Sequence, residues 1–213
     1  MKKIIVFDFS GTILKKEIPE EASKRRLSWL GKKVSRKYLR KALAKDTHYK
    51  LNKKLLSIYT GIKDDKLLTI FSTNLFKIHM LALAKEKRQG IFRPGILDVI
   101  RKLRRKYKVA ITSGIRTDII FSMLLLTKTN KLIDYICAQN PSLDFSNSQL
   151  LNCVIKLGAI AYVVGDKLTD IQAATKKPKI KTIFLKGGHP LGGEEKQADF
   201  TAEKPKDLLK IIK

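Results

Sequence analysis

An aspartate stands at the end of the first apolar segment of this 213-residue chain. Residues 3–7 are apolar or β-branched apart from Lys3, and a short run of this kind before a polar turn is typical of a strand buried on both faces. Asp8 follows the run, and Gly11 and Thr12 come next. A carboxylate at the carboxyl end of a buried parallel strand lies where open α/β sheets bind their ligands. A glycine there allows close approach and a threonine can donate a hydrogen bond, although an Asx-type turn that only closes the strand explains the segment equally well.

Two later apolar runs end in the same way. One is followed by Thr112 and Ser113, and the run 161–164 is followed by Asp166 and Asp170, which are four residues apart. Parallel strands that each deliver polar groups at their carboxyl ends bring those groups to one rim of a sheet. We therefore expect one catalytic or metal-binding site there, whereas Asp166 considered alone could also cap the following helix.

The ordered set of Asp8, the pair Thr112–Ser113, Asp166 and Asp170 resembles the haloacid dehalogenase-like superfamily of aspartyl-nucleophile hydrolases. The resemblance implies an α/β fold with a Rossmann-like, mostly parallel sheet, helices on both faces and an inserted all-helical cap. It implies that Asp8 is a catalytic nucleophile that forms an aspartyl-phosphate. It also implies a Mg²⁺ ion held by Asp8, the Ser10 backbone carbonyl and Asp166, with Asp170 as a ligand or as support.

Contacts to the phosphate group are implied by the same resemblance. A hydroxyl at the end of the second strand would hold a phosphoryl oxygen, and we prefer Thr112 because it follows four strand residues, with Ser113 as the alternative. Gly114 would free backbone N–H groups for an anion. Gly11 and Thr12 would line the substrate-binding turn after the first strand.

Two positions depart from the family pattern. The position two residues after the nucleophile is commonly an aspartate that acts as acid and base, and here it is Ser10; such acid–base help is worth roughly 10²–10⁴ in rate. The family lysine, expected about two dozen residues before the metal aspartate, corresponds to Asn140. Lys167 is our first candidate to replace its charge in catalysis, and Lys128 and Lys131 are alternatives.

These features predict a Mg²⁺-dependent hydrolase of small phosphorylated metabolites. Because Ser10 cannot act as an acid, a phosphonate hydrolase or a dehalogenase-type enzyme is an alternative. Ser10, Asn140 and the charge of the chain together leave a third hypothesis, a catalytically weak domain that binds RNA or an acidic partner.

The order of helix and strand signals predicts two domains. Residues 15–91 show helical periodicity, including an apolar stripe over 27–42 and a helix that begins after Asp64. We expect this segment to be a helical cap inserted into a core domain made of 1–14 and 92–213. In the core, strands alternate with helices, which is typical of a parallel sheet with right-handed crossovers. Further strands are predicted at 107–111, 133–138, 159–164, 180–185 and 198–200, and further helices at 117–126, 148–157, 170–175 and 206–212.

The composition is strongly basic. Lys and Arg number 45 against 19 Asp and Glu, which gives a formal net charge of +26. Such a charge attracts polyanions, including nucleic acid, but solvated helix faces in a lysine-rich chain would produce the same count. The sequence contains no aromatic RNA-binding motif and no zinc-finger spacing.

Location and redox state are also predicted from composition. No run approaches the ~18 consecutive apolar residues of a membrane span, so we expect no membrane segment. Cys137 and Cys153 lie among apolar neighbours, and two such cysteines without a wider framework indicate a reducing cytoplasm.

Overall fold

A computed structural model describes residues 2–29, 31, 35, 56–58, 60–140, 145–175, 177, 179–190 and 192–213. Within them, six parallel strands form one sheet in the order β3-β2-β1-β4-β5-β6. The chain builds one half of the sheet outward from β1 and then returns to build the other half, so its direction reverses between β1 and β4. The strands are β1 (Ile4–Asp8), β2 (Lys108–Arg116), β3 (Tyr135–Gln139), β4 (Ile160–Gly165), β5 (Lys181–Leu185) and β6 (Phe200–Ala202).

Helices connect the strands and confirm the predicted α/β class. Short 3₁₀ helices at Arg88–Ile91, Asn130–Leu132 and Pro205–Asp207 join some of them. The described α-helices are α1 (Glu17–Trp29), α2 (Asp65–Lys87), α3 (Ile96–Leu103), α4 (Thr117–Leu126), α5 (Asn147–Ile155), α6 (Leu168–Thr175), α7 (Glu194–Gln197) and α8 (Leu208–Ile211).

Strand β1 is buried on both faces, as its apolar run predicts. Ile5 and Phe7 belong to one hydrophobic cluster, and Ile4 and Val6 belong to another. The alternation follows from the two-residue period of a strand, which sends successive side chains to opposite faces of the sheet. Two apolar layers therefore sandwich the strand that ends in Asp8.

The helices of the 15–91 insert pack on each other and on the core. Phe76, Met80 and Leu83 of α2 are buried in the same cluster as Phe7 of β1. The second half of α2 thus contributes to the main core. The division into a core and a cap with a boundary near 91 stays a prediction.

The predicted helix start at Asp64 is confirmed. The Asp64 carboxylate accepts a hydrogen bond from Leu67 N at 2.8 Å, which satisfies one of the unpaired donors of the first turn. The helix ends at Lys87, and Arg88 follows it with φ +47°. The helix predicted over 49–59 lies largely outside the described residues.

Strand β2 is longer than predicted. It continues past Ile111 to Arg116, with a shift of register between Ser113 and Arg116, so Thr112 and Ser113 lie inside the strand rather than after it. The sequence shows no sign of this because the extension depends on pairing with β3. The prediction of α4 over 117–126 is confirmed, whereas α7 was not predicted.

The sequence did not predict that the two cysteines pair with each other. Cys137 of β3 and Cys153 of α5 are paired as a disulfide, with Cα atoms 6.2 Å apart. Composition could not show this, because the pairing depends on α5 packing beside the strand that precedes it. A cytoplasmic location stays a prediction.

Among the described residues, the segment Lys66–Ile91 is long and apolar enough to cross a membrane by length and composition alone. An 18-residue stretch within it has a mean hydropathy of 1.5, and 39% of that stretch is buried inside the protein. A helix that packs in a protein core passes the same test, and Phe76, Met80 and Leu83 of this segment are buried in the main hydrophobic cluster.

Candidate active site

Three aspartates meet at the point where the sheet reverses direction. Asp8 is the last residue of β1, and Asp166 directly follows β4, the neighbouring strand. Asp170 lies in the first turn of α6. Carboxylate oxygens of the three residues all lie within 4.8 Å of one another. The predicted cluster of acidic residues is therefore present at the carboxyl edge, where open α/β sheets bind ligands.

Contacts from two loops hold the Asp166 carboxylate. Thr12 Oγ1 donates a hydrogen bond to Oδ1 at 3.1 Å, and the His189 backbone N–H donates one to Oδ2 at 2.6 Å. Gly11 and Gly188 pass so close to this carboxylate that a Cβ atom at either position would collide with it. Gly11 also has φ +96°, a conformation that disfavours other residues. The turn after β1 thus supports Asp166 directly.

A separate helix orients Asp170. Asn147, at the start of α5, donates from Nδ2 to Asp170 Oδ1 at 2.7 Å, and Lys167 N donates to Oδ2 at 3.1 Å. A carboxylate that accepts two hydrogen bonds keeps one orientation. Asn147 was not among the residues predicted for the site.

Burial and mutual repulsion raise the pKa of each carboxyl group. Burial raises the pKa of Asp8 well above its usual value, and the charges of Asp170 and Asp166 add to this effect. Burial, followed by the charge of Asp166, raises the pKa of Asp170 to about 7. Burial also raises the pKa of Asp166. The Lys167 ammonium opposes all three shifts, so it lies close enough to act on the whole cluster.

The cluster fits a divalent cation. Asp8 Oδ2 is buried and has no hydrogen-bond partner among the described residues, although a buried polar atom ordinarily has one. Carboxylate oxygens that lie this close together are the ligands that Mg²⁺ prefers, and a cation would remove the repulsion among them. Ser10 is also buried beside Asp8, and its backbone carbonyl stays a predicted ligand.

The hydroxyl residues of β2 have different surroundings. Thr112 is the register partner of Asp8, and directly paired residues of parallel strands face the same side of a sheet. Ser113 is buried, and its Oγ accepts a hydrogen bond from Ile115 N at 3.0 Å. Thr112 is therefore the one of the two that faces the same side of the sheet as Asp8, and its role as a phosphate ligand stays a prediction. Gly114 lies inside the strand, where the register shifts.

The structure distinguishes the three lysines that were predicted to replace the family lysine by their distance from the aspartates. Asn140 follows β3 and is exposed. Lys128 and Lys131 both precede β3, so they lie towards the amino edge of the sheet, opposite the aspartates. Lys167 is the one of the three proposed lysines whose charge acts on the aspartate cluster.

Two cationic residues that were not predicted connect the insert to the site. Arg93 donates from Nη1 to Gly11 O at 2.8 Å and from Nη2 to Lys186 O. Lys16 Nζ donates to Gly188 O at 3.0 Å. Both residues lie where the chain enters or leaves the predicted cap. Gly187 and Gly188 follow β5, and this pair of glycines is the feature of the sequence that could have indicated the loop that Lys16 and Arg93 contact.

The fold and the site together define the class of this protein. It is an α/β protein with a Rossmann-like sheet, a helical insert after the first strand and three aspartates at the carboxyl edge of the sheet. No family model and no curated protein sequence matches the chain. Solved structures do match it along its whole length. A haloacid dehalogenase-like hydrolase from Streptococcus pneumoniae has a TM-score of 0.74 at 18% identity, with 100% of this chain and 99% of that chain covered.

Two further structures carry ligands. CbbY from Rhodobacter sphaeroides, in complex with xylulose-1,5-bisphosphate, has a TM-score of 0.76 at 18% identity and covers 98% of this chain and 96% of its own. The hydrolase YfnB from Bacillus subtilis, bound to magnesium, has a TM-score of 0.75 at 14% identity, with 99% and 98% covered. The chain therefore has the haloacid dehalogenase-like fold, as its motifs predicted.

Proposed function

We propose that this protein is a Mg²⁺-dependent phosphatase that hydrolyses small phosphorylated metabolites through an aspartyl-phosphate on Asp8. The observation that carries the proposal is the cluster of Asp8, Asp166 and Asp170 within 4.8 Å, in which one oxygen of Asp8 has no partner among the described residues. The neighbouring folds support it, because one was solved with a sugar bisphosphate and another with magnesium.

Asp8 is the nucleophile in this proposal. One carboxylate oxygen forms a bond to phosphorus while the bond from phosphorus to the leaving oxygen breaks. A water molecule then attacks phosphorus, releases inorganic phosphate and restores the carboxylate. Dividing one difficult displacement into two easier ones is the general advantage of covalent catalysis.

The surrounding residues bind and neutralise charge. Asp8, the Ser10 carbonyl and Asp166 would hold Mg²⁺, with Asp170 as a further ligand or as support, and the ion would neutralise negative charge between nucleophile and phosphate. Lys167 adds the positive charge that the family lysine would supply. Thr112 would bind a phosphoryl oxygen, with Ser113, Gly114, Gly11 and Thr12 around it.

The 15–91 insert would act as a cap over this site. Closure of such a segment excludes water and contributes specificity. Lys16 and Arg93, at its two connections, hydrogen-bond to the loops that contact Asp166. Movement of the insert would therefore be transmitted to the residues that hold the metal-binding carboxylate.

The proposal is tested by comparing Asp8→Asn with wild type on p-nitrophenyl phosphate, acetyl phosphate and a panel of phosphorylated metabolites, with Mg²⁺ or with EDTA. We expect turnover by wild type in Mg²⁺ alone and a loss of at least about 10³-fold in Asp8→Asn, because the bond-forming atom is removed. Asp98→Asn, at an exposed position of α3, is the matched control and should retain activity. Wild-type rates in Asp8→Asn would overturn the assignment.

Ser10 supports a second candidate, a phosphonate hydrolase, because such relatives lack the acid at this position. The same assay with phosphonate substrates separates the two activities. Release of phosphate from phosphonates but not from phosphate esters would favour the second.

A further inference from the structure

The edge of the sheet opposite the aspartates is lined by positive side chains. They come from the segments that precede β1, β2 and β3, from the first residue of β2, from the last turn of α3 and from the residues after α8. We call this group the basic edge, and it consists of Lys2, Lys3, Lys102, Arg104, Arg105, Lys106, Lys108, Lys131 and Lys213.

Hydrogen bonds join these residues into one surface. Lys2 Nζ donates to Arg104 O at 3.1 Å, and an Arg104 guanidinium nitrogen donates to Lys131 O. Lys108 N donates to Lys3 O at 2.9 Å. Residues that are distant in sequence therefore lie side by side.

The positive charge of the basic edge is poorly neutralised. Asp134 pairs with Arg104 at 3.0 Å and with Lys108 at 3.5 Å. Lys102, Arg105 and Lys106 are exposed, and within the described ranges no carboxylate forms an ion pair with them. Adjacent cations without counter-charges create a positive potential that attracts anions.

Tyrosine rings lie among these cations. Lys108 Nζ is 5.9 Å from the centre of the Tyr135 ring. Tyr107 is partly exposed, donates to Lys213 O at 2.5 Å and meets Tyr162 edge to face at 6.2 Å. Aromatic rings between basic side chains are a feature of surfaces that bind nucleic-acid strands, since every base can stack on a ring.

The extent of the basic edge favours a long polyanion over a single small anion. Three neighbouring strands span about 10 Å, and the end of α3 widens the surface on one face of the sheet. The positive side chains are distributed along it rather than gathered around one point. A nucleic-acid backbone presents phosphates at regular intervals and can contact several of these side chains together.

We propose that the basic edge binds nucleic acid, without sequence specificity, through the phosphate backbone. Asp8 at the far end of β1 is five residue steps from Lys3, which corresponds to about 16 Å at about 3.3 Å per residue. Binding at this edge therefore leaves the aspartate cluster open, and the inference is independent of the proposed phosphatase activity.

The test is fluorescence anisotropy with a labelled 20-nucleotide single-stranded RNA over a range of salt concentrations. The edge variant is Lys102→Glu, Arg105→Glu and Lys106→Glu. The control variant is Lys63→Glu, Lys66→Glu and Lys196→Glu, which changes the net charge equally at exposed positions elsewhere. Thermal unfolding of both variants checks that they fold.

We expect wild type to bind with an affinity that falls steeply with salt. Three lost phosphate contacts should reduce the slope of log K against log salt by about 2, at about 0.7 per contact for single strands. The edge variant should bind at least about tenfold more weakly, whereas the control should stay within about threefold.

Three results would overturn the proposal. They are no RNA binding by wild type at 50 mM salt, equal losses in both variants, and poly-glutamate competing as well as unlabelled RNA at equal charge. Equal losses would mean that net charge alone is responsible. Effective competition by poly-glutamate would indicate an acidic protein as the partner.

Discussion

At the scale of single residues, the site brings three carboxylates together and has a serine, Ser10, where the family pattern commonly has an aspartate. Asp8, Asp166 and Asp170 are held together although burial and mutual repulsion raise the pKa of each. Such shifts are typical of functional sites. Ser10, two positions after Asp8, brings no carboxyl group, so in the proposed phosphatase a leaving group that needs a proton is at a disadvantage.

Ser10→Asp should therefore raise the turnover of alkyl phosphates more than that of acyl phosphates. An acyl phosphate departs without a proton, whereas an alkoxide needs one, and general acid help is worth roughly 10²–10⁴ in rate. The measurement is kcat/KM for both substrate classes. Ser10→Asn is the control because it changes side-chain size without adding an acid. Equal rates on both classes in wild type, with no selective gain in Ser10→Asp, would mean that another group supplies the proton.

The raised pKa of Asp170 predicts how stability depends on pH without metal. Its pKa of about 7 in the folded protein exceeds the unfolded value of roughly 3.9. Between these two pH values the folded state binds more protons than the unfolded state. The contribution of Asp170 to the free energy of unfolding is therefore complete below about pH 4 and is lost as the pH rises to about 7. A difference of one in pKa between the folded and unfolded states corresponds to about 1.4 kcal/mol of stability.

Thermal unfolding in EDTA should accordingly show a midpoint that falls between pH 4.5 and 7.5. Asp170→Asn should flatten this dependence, while the exposed control Asp98→Asn should keep it. Because the three carboxylates titrate together, the curve reports the cluster. A wild-type midpoint that rises over this range would contradict the prediction.

At the scale of elements, helices α1 and α2 illustrate two ways of placing an arginine. Arg25 forms ion pairs with Glu86 at 2.7 Å and with Glu21 at 3.3 Å near the surface. Arg26, the next residue, is fully buried, and its three guanidinium nitrogens have no hydrogen-bond partner among the described residues. Burial lowers the pKa of Arg26 to about 9. An uncompensated buried charge costs several kcal/mol.

Arg26→Met should therefore stabilise the protein by about 1–4 kcal/mol, because an apolar side chain of similar length replaces a buried charge. Arg25→Met, the neighbouring control, should destabilise by about 1 kcal/mol or less through the loss of surface ion pairs. Urea unfolding gives both values. A clear loss of stability in Arg26→Met would show that Arg26 has a counter-charge in solution.

At the scale of the whole molecule, the parallel sheet separates charge. Its carboxyl edge gathers three aspartates, and its amino edge gathers the nine cations of the basic edge. Helices pack on both faces between these edges, and the disulfide between Cys137 and Cys153 ties α5 to β3 over a sequence separation of 16.

Cys153→Ser should lower stability under oxidising conditions by about 3 kcal/mol, the chain-entropy value for a closed loop of roughly this length. Cys153 is exposed, so the serine leaves no cavity. Urea unfolding with and without reductant should show that reductant destabilises wild type but not the variant. Two reactive thiols in unreduced wild type would contradict the pairing.

The sequence by itself determined the positions of the strands and the acidic residues at their ends. Buried strands need continuous apolar runs, and β1 and β4 have them. Polar residues after such runs come to one edge when the strands are parallel, and Asp8, Asp166 and Asp170 do so. These inferences succeeded because they depend on short-range periodicity and on the rule that strands alternating with helices form a parallel sheet.

Only the tertiary structure decided how the site is supported. The contacts of Arg93, Lys16, Asn147 and His189 with the site loops join residues far apart in the chain. The extension of β2 depends on pairing with β3, and the disulfide depends on the packing of α5. The basic edge likewise became visible only after the parallel sheet placed the amino ends of its strands together. Such features have no local signal, since they arise from packing between segments whose separation in sequence says nothing about their distance in space.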